Sequence, residues 1–278
     1  PGLSGERTNL AGADVRLDVT DKDQVRLEYA TSLRDGPTID DRADAYLAEV
    51  SHTGDLLSAK AYYSRVEPNF GMAQQTSATV GVLRYGAEAS LKLDEFEDKT
   101  GARRGARFID AKTYREENLT TGASRDLAEV TLRQESTATS GSAGLRAVRE
   151  DPQTGPRREG LFAVAAVKQR FENLGLSLRA AHERPIAGDD ASSLFPTRTS
   201  VGFDQKLLEG FTLSATHEIL DGDAISQSNT TVGLTAEPWD GGKITLAGDR
   251  ITQDSGERIG ATFGVDQQVR LSDKWTGS

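Results

Sequence analysis

Over most of the chain, apolar side chains return at every second position. Val130 and Leu132 alternate with Thr131 and Arg133, and Leu176 and Leu178 with Ser177 and Arg179. Near the end, Ile259, Ala261, Phe263 and Val265 alternate with Gly260, Thr262, Gly264 and Asp266. Successive side chains of an extended strand point to opposite faces, so this pattern specifies strands with one dry face and one wet face. Helical periodicity is scarce. One-sided strands of this kind belong to antiparallel sheets, and the fold class is all-β. The chain is only 36% hydrophobic and 27% charged, which suits a structure whose elements each hide a single face from water. Its apolar residues are dispersed through the chain, which argues against disorder.

The breaks between strands come in two sizes. Tight ones with hairpin chemistry fall at 21–24, 53–55, 85–87, 172–173, 208–210, 240–242 and 272–274. Longer polar links fall at 32–42, 67–75, 97–106, 185–197, 220–229 and 252–258. Short and long alternate, so an up-and-down meander puts every tight turn at one end and every long loop at the other. That is the layout of a transmembrane β-barrel. The hairpins also repeat: Gly202, Gly233 and Gly264 sit in "SVGFDQ", "TVGLTA" and "TFGVDQ", and the return strands read "SLRAAHE", "TLSATHE" and "TLAGDR". A solenoid is the competing reading of such a period, but it does not require alternating connections.

Residues 107–150 hold three strand-like pieces where the alternation allows an even number. We place "RFIDAKTYR" in a long excursion over 97–125 and pair "LAEVTLRQE" with "GLRAVRE" across "TATSGSA". The expectation is an antiparallel up-and-down transmembrane barrel of about sixteen strands over 15–278. Residues 1–14 form an extension or linker, and the sixteenth strand begins at Trp275.

Three features bear on whether the dry face meets lipid or protein, the first permitting lipid without deciding for it. Strands of about 9 to 11 residues have the length a tilted strand needs to cross a hydrocarbon layer. Tyr85, Phe171, Phe211, Trp239 and Trp275 lie in or beside tight turns, where aromatic rings suit the headgroup layer. Aromatics that brace cross-strand pairs in any sheet are the alternative. The core available to two stacked sheets would be thin for so many strands, whereas a barrel in lipid can keep a polar interior. Arg179, Asp204 and Ser214 are then expected to face the lumen.

The recurring "VGxDQ... GFTLSATHE... DGD" hairpins resemble Gram-negative outer-membrane β-barrels, in particular the barrel end of large alphaproteobacterial-type surface proteins. The resemblance implies residence in the outer membrane, with its lipid bilayer and the barrel assembly machinery as partners. It also implies a passive pore, or the membrane anchor of a larger surface protein. Such barrels end in a strand with a terminal aromatic, whereas this chain stops at "KWTGS", so a closing strand is expected outside it. The rivals are a soluble extracellular adhesin or solenoid and, third, an outer-membrane hydrolase.

Little chemistry is written in the chain. The formal charge of −10 argues against nucleic acid as a partner, and the absence of cysteine rules out thiolate metal sites and disulfides. His182–Glu183 and His217–Glu218 look like acid–base pairs, but they occupy the same place in two copies of a repeat. Adjacent strand residues also point apart. "DGDAISQSN" (221–229) and "AGDD" (187–190) have oxygen ligands without the spacing of a Ca²⁺ loop. No catalytic, cofactor or metal residue is assigned.

Overall fold

The computed structural model describes residues 7–36, 39–71, 80–97, 104–188, 195–223, 225–239, 241–272 and 275–277. Fifteen strands form one antiparallel sheet in chain order. They are β1 (Arg7–Asp18), β2 (Asp23–Gly36), β3 (Ile39–Thr53), β4 (Leu57–Val66), β5 (Val82–Glu97), β6 (Arg104–Asn118), β7 (Ser124–Ser136) and β8 (Thr139–Asp151). The order continues with β9 (Arg158–Phe171), β10 (Leu176–Gly188), β11 (Thr197–Leu208), β12 (Phe211–Gly222), β13 (Ile225–Ala236), β14 (Gly242–Gln253) and β15 (Gly256–Gln267). A short pair, β16 (Val269–Ser272) and β17 (Trp275–Gly277), makes a separate two-stranded sheet. β17 therefore starts where the sixteenth strand was expected.

The chain divides into two compact units. The first comprises residues 1–94, 107–132 and 145–159, and the second 95–106, 133–144 and 160–278. Residues 7–14, expected to be an extension, belong to β1 and pair with β2 from Arg7↔Asp35 onward.

Two expectations about the meander are corrected. Tyr85–Ala87 is not a turn: Tyr85 sits inside β5, opposite Tyr63 of β4. Gly86 is there because β6 comes close, since a Cβ at that position would lie 2.3 Å from the Thr113 carbonyl oxygen. "RFIDAKTYR" is a full strand, β6, rather than part of an excursion. Splitting β5 and omitting β6 are compensating errors, which is why the expected strand count survives. The long-loop end is also more regular than the sequence suggests. β12 and β13 stay paired to Gly222↔Ile225, and β14 and β15 to Gln253↔Gly256. The 97–106 link joins β5 to β6, at the tight-turn end.

The tight turns close where the backbone goes left-handed: Gly175, Gly210 and Gly241 have φ of 60°, 74° and 71°, conformations that favour glycine. Regular pairing fixes the faces. In the second unit Leu178 lies opposite Phe203, Phe203 opposite Ala215, Ala215 opposite Val232, Val232 opposite Gly248 and Gly248 opposite Ala261. One apolar face thus runs over β10–β15, with a register shift at Lys206/Leu208 where β11 meets β12 beside the tight turn. In the first unit Val15, Leu27, Ala48, Tyr63 and Tyr85 share a face in the same way.

Candidate functional site: one apolar face and one charged face

The described residues leave much of the apolar face exposed. Ile259 is 74% exposed, Phe263 67% and Val15 59%, and the buried hydrophobic residues among those described are Ala43, Leu127, Val148, Phe162 and Ala236. An exposed apolar surface of this extent marks contact with something other than water.

Its margins are built with care. Tyrosines on this face come in two cross-strand pairs: Tyr29 with Tyr46, and Tyr63 with Tyr85, the second pair in register with Leu27 and Ala48, two residues nearer the tight turns. Tyr29 and Tyr46 are directly opposite each other, with ring centroids 5.3 Å apart. The Tyr29 hydroxyl donates to Asp44 Oδ1 at 3.0 Å and accepts from Arg42 Nη2 at 2.9 Å, while Tyr46 donates to Asp44 Oδ2 at 3.3 Å. In the second unit His182 pairs with Thr199, and in the neighbouring register row His217 pairs with Thr230 and Thr230 with Arg250. His182 Nδ1 lies 2.9 Å from Thr199 Oγ1, His217 Nδ1 lies 2.8 Å from Thr230 Oγ1, and Arg250 pairs with Glu257 at 2.7 Å. Between these polar residues and the tight turns, the described residues of β1, β3, β4 and β9–β15 present no acidic or basic chain on this face other than His52, whereas β2 carries Asp23 and β5 carries Glu95 and Glu97 at their turn ends.

The other face is charged, and many of its charges are paired. Arg179 bonds Asp204 and donates to Thr216 Oγ1 at 2.7 Å, and Arg198 meets Glu218 at 3.7 Å. Ser214 lies on the same face and donates to the Gly233 carbonyl at 3.4 Å. In the first unit Glu129 receives Lys112 at 3.6 Å and Arg146 at 2.5 Å, Arg125 reaches Glu150 at 3.6 Å, and Arg84 approaches Glu116 at 3.9 Å. Leu127 and Val148 are buried among these pairs.

Segments from the long-loop end rest on this charged face. Gly71 N–H donates to Ser32 Oγ at 3.1 Å, Ser32 donates to the Ala43 carbonyl at 3.3 Å, and Asn69 reaches Asp41 at 2.5 Å. In the second unit Phe195 lies edge-on to Phe162, ring centroids 5.3 Å apart, and Phe162 is only 2% exposed.

The expected site residues distribute as follows. Arg179, Asp204 and Ser214 share the charged face, the first two as partners. Phe171 ends β9 and Phe211 opens β12, both on the apolar face, and Trp239 stands in the turn before β14. Tyr85 is on the apolar face but at the far margin from the tight turns. Trp275 opens β17, and its side chain lies outside the described residues. The tyrosine pairs of β2–β5 lie away from the turns, and same-face aromatics on neighbouring strands are the signal that finds them. His182 and Glu183, like His217 and Glu218, point to opposite faces, and Glu218 pairs with Arg198. Of the proposed Ca²⁺ segments, 221–229 is largely strand, and Asp189 and Asp190 lie outside the described residues. No group of metal-ligating side chains occurs among the described residues.

No family model matches the chain, and no curated protein does. Among solved structures, a double mutant of the Rh. blastica porin aligns over 94% of this chain and 90% of its own, with a TM-score of 0.51 at 9% identity. OccK11 (OpdR) of Pseudomonas aeruginosa covers 94% of this chain and 92% of its own, with a TM-score of 0.40 at 8% identity. The first likeness, together with the fifteen-strand meander, gives the fold: an antiparallel up-and-down β-barrel of the porin type.

Proposed function

We propose that the chain is a passive pore of a Gram-negative outer membrane. The observation that carries this reading is the division of one meander into an exposed apolar face and a face of paired charges. Lipid accepts the first and an aqueous lumen the second. Arg179, Asp204 and Ser214 then line the lumen. Phe171, Phe211 and Trp239 sit at the interface beside the tight turns, and Tyr85 with Tyr29, Tyr46 and Tyr63 sits at the opposite interface.

Conductance in planar bilayers tests the reading. The folded protein should open ohmic channels, and Asp204→Arg should move the reversal potential toward anion preference, because it replaces a lumen carboxylate with a cation. Folded, inserted protein that conducts no ions would overturn the pore and favour a membrane anchor.

A further inference from the structure

We propose that Arg84, stacked between Tyr62 and Tyr114 on the charged face of β4–β6, binds the carboxylate of a small solute. Its function as a step on a permeation path rests on the pore reading; the binding itself does not.

The geometry begins with Gly86. Tyr62 of β4 pairs directly with Gly86, and a Cβ on Gly86 would lie 2.7 Å from Tyr114 Cβ. Glycine therefore lets Tyr114 of β6 close over bare backbone, and the two rings flank the position. Arg84 is two residues along the same face. Its guanidinium carbon lies 4.5 Å from the Tyr114 ring centroid and 5.9 Å from that of Tyr62. Contact with both rings holds the planar cation at a fixed place on the wall.

The donors of that cation are unused. A guanidinium carries five N–H groups, and no residue among those described hydrogen-bonds Arg84. Glu116 Oε2 stands 3.9 Å away, beyond hydrogen-bond reach. The side chain is 44% exposed. Arg179, Arg115 and Arg146 on the same sheet each hold a carboxylate within hydrogen-bond distance. Arg84 is thus pinned by stacking, with its forked edge open, an arrangement matched to a planar carboxylate taken in two parallel hydrogen bonds. The neighbouring charges select among anions. Glu88 and Glu116 share the face and repel a doubly charged phosphate more than a singly charged carboxylate. Lys112 is held by Glu129 at 3.6 Å, and Lys60 lies over Tyr62 at 5.6 Å.

The test is ligand-observed NMR on the protein folded in detergent, with benzoate and inorganic phosphate as probes. Benzoate should bind saturably and more tightly than phosphate. Arg84→Lys keeps the charge but loses the fork and should weaken benzoate about tenfold; Tyr114→Leu keeps the arginine but loses its stacking partner and should weaken it several-fold. Circular dichroism verifies the fold of each variant, and the lysine variant suffices if the leucine one does not fold. Absence of saturable benzoate binding, tighter binding of phosphate, or an unchanged affinity in Arg84→Lys would overturn the site. Benzoate binding in a protein that conducts no ions would overturn the pore and leave the site standing.

Discussion

Asp23 shows how few side chains set the first tight turn. Thr20 Oγ1 accepts from the backbone N–H groups of Lys22 and Asp23 at 3.1 and 3.0 Å and donates to the Asp23 carboxylate at 2.5 Å; His52 Nδ1 meets its other oxygen at 2.7 Å. The Thr20 hydrogen bond first, then that of His52, holds the Asp23 carboxyl below its ordinary value. A carboxyl depressed in the folded state adds stability that is fully present above the unfolded pKa of about 3.9 and disappears as pH falls through the depressed value. Hydrogen-exchange protection factors for Lys22 and Thr53 should therefore drop in acid, and Asp23→Asn should remove the step. A wild-type turn whose protection ignores pH would contradict this. The turn was legible at 21–24 because Asp21 and Asp23 are turn-forming in themselves. Asp23's partner His52, from the far end of β3, was not, because no local rule links them.

For whole strands, alternation made faces legible and glycines made boundaries treacherous. Gly202, Gly233 and Gly264 all fall on the charged face, as their repeat suggested, yet for different reasons. A Cβ at Gly202 would lie 2.7 Å from the Ala215 carbonyl, one at Gly233 would lie 2.9 Å from Ser214 Oγ, and one at Gly264 would meet nothing within 4 Å. Gly86 is crowded too, and there the same residue type was read as a turn. Sequence shows that a glycine is present without showing whether the chain bends or a neighbour approaches, so β5 was cut and β6 displaced. The faces themselves give a direct contrast. Leu213→Arg on the apolar side should destabilise the protein by about 2 to 4 kcal/mol, and Ser214→Arg on the charged side by much less. Equal penalties in denaturant titrations of lipid-reconstituted protein would mean that the apolar face does not touch hydrocarbon.

In the molecule as a whole, the fold was readable from period-two patterning, while solute preference was not, because it depends on which charges find partners across strands. Arg84 and Arg179 look alike in sequence; only the fold shows that one is satisfied and the other open. The same holds for the height of the proposed lipid-facing surface. On β2 six residues separate Asp23 at the tight turn from Tyr29, about 20 Å along a strand at ~3.3 Å per residue, and strand tilt shortens it further. That is less than the ~25 Å apolar band usual for outer-membrane barrels. Insertion should accordingly be several-fold faster into dilauroyl than into dioleoyl vesicles, measured by the rise of β-sheet circular dichroism; equal rates would count against a short span. In the proposed membrane setting, lipids taller than this span would pinch down around the protein, and two copies sharing one pinch would disturb fewer lipids than two apart, so the bilayer itself would draw them together.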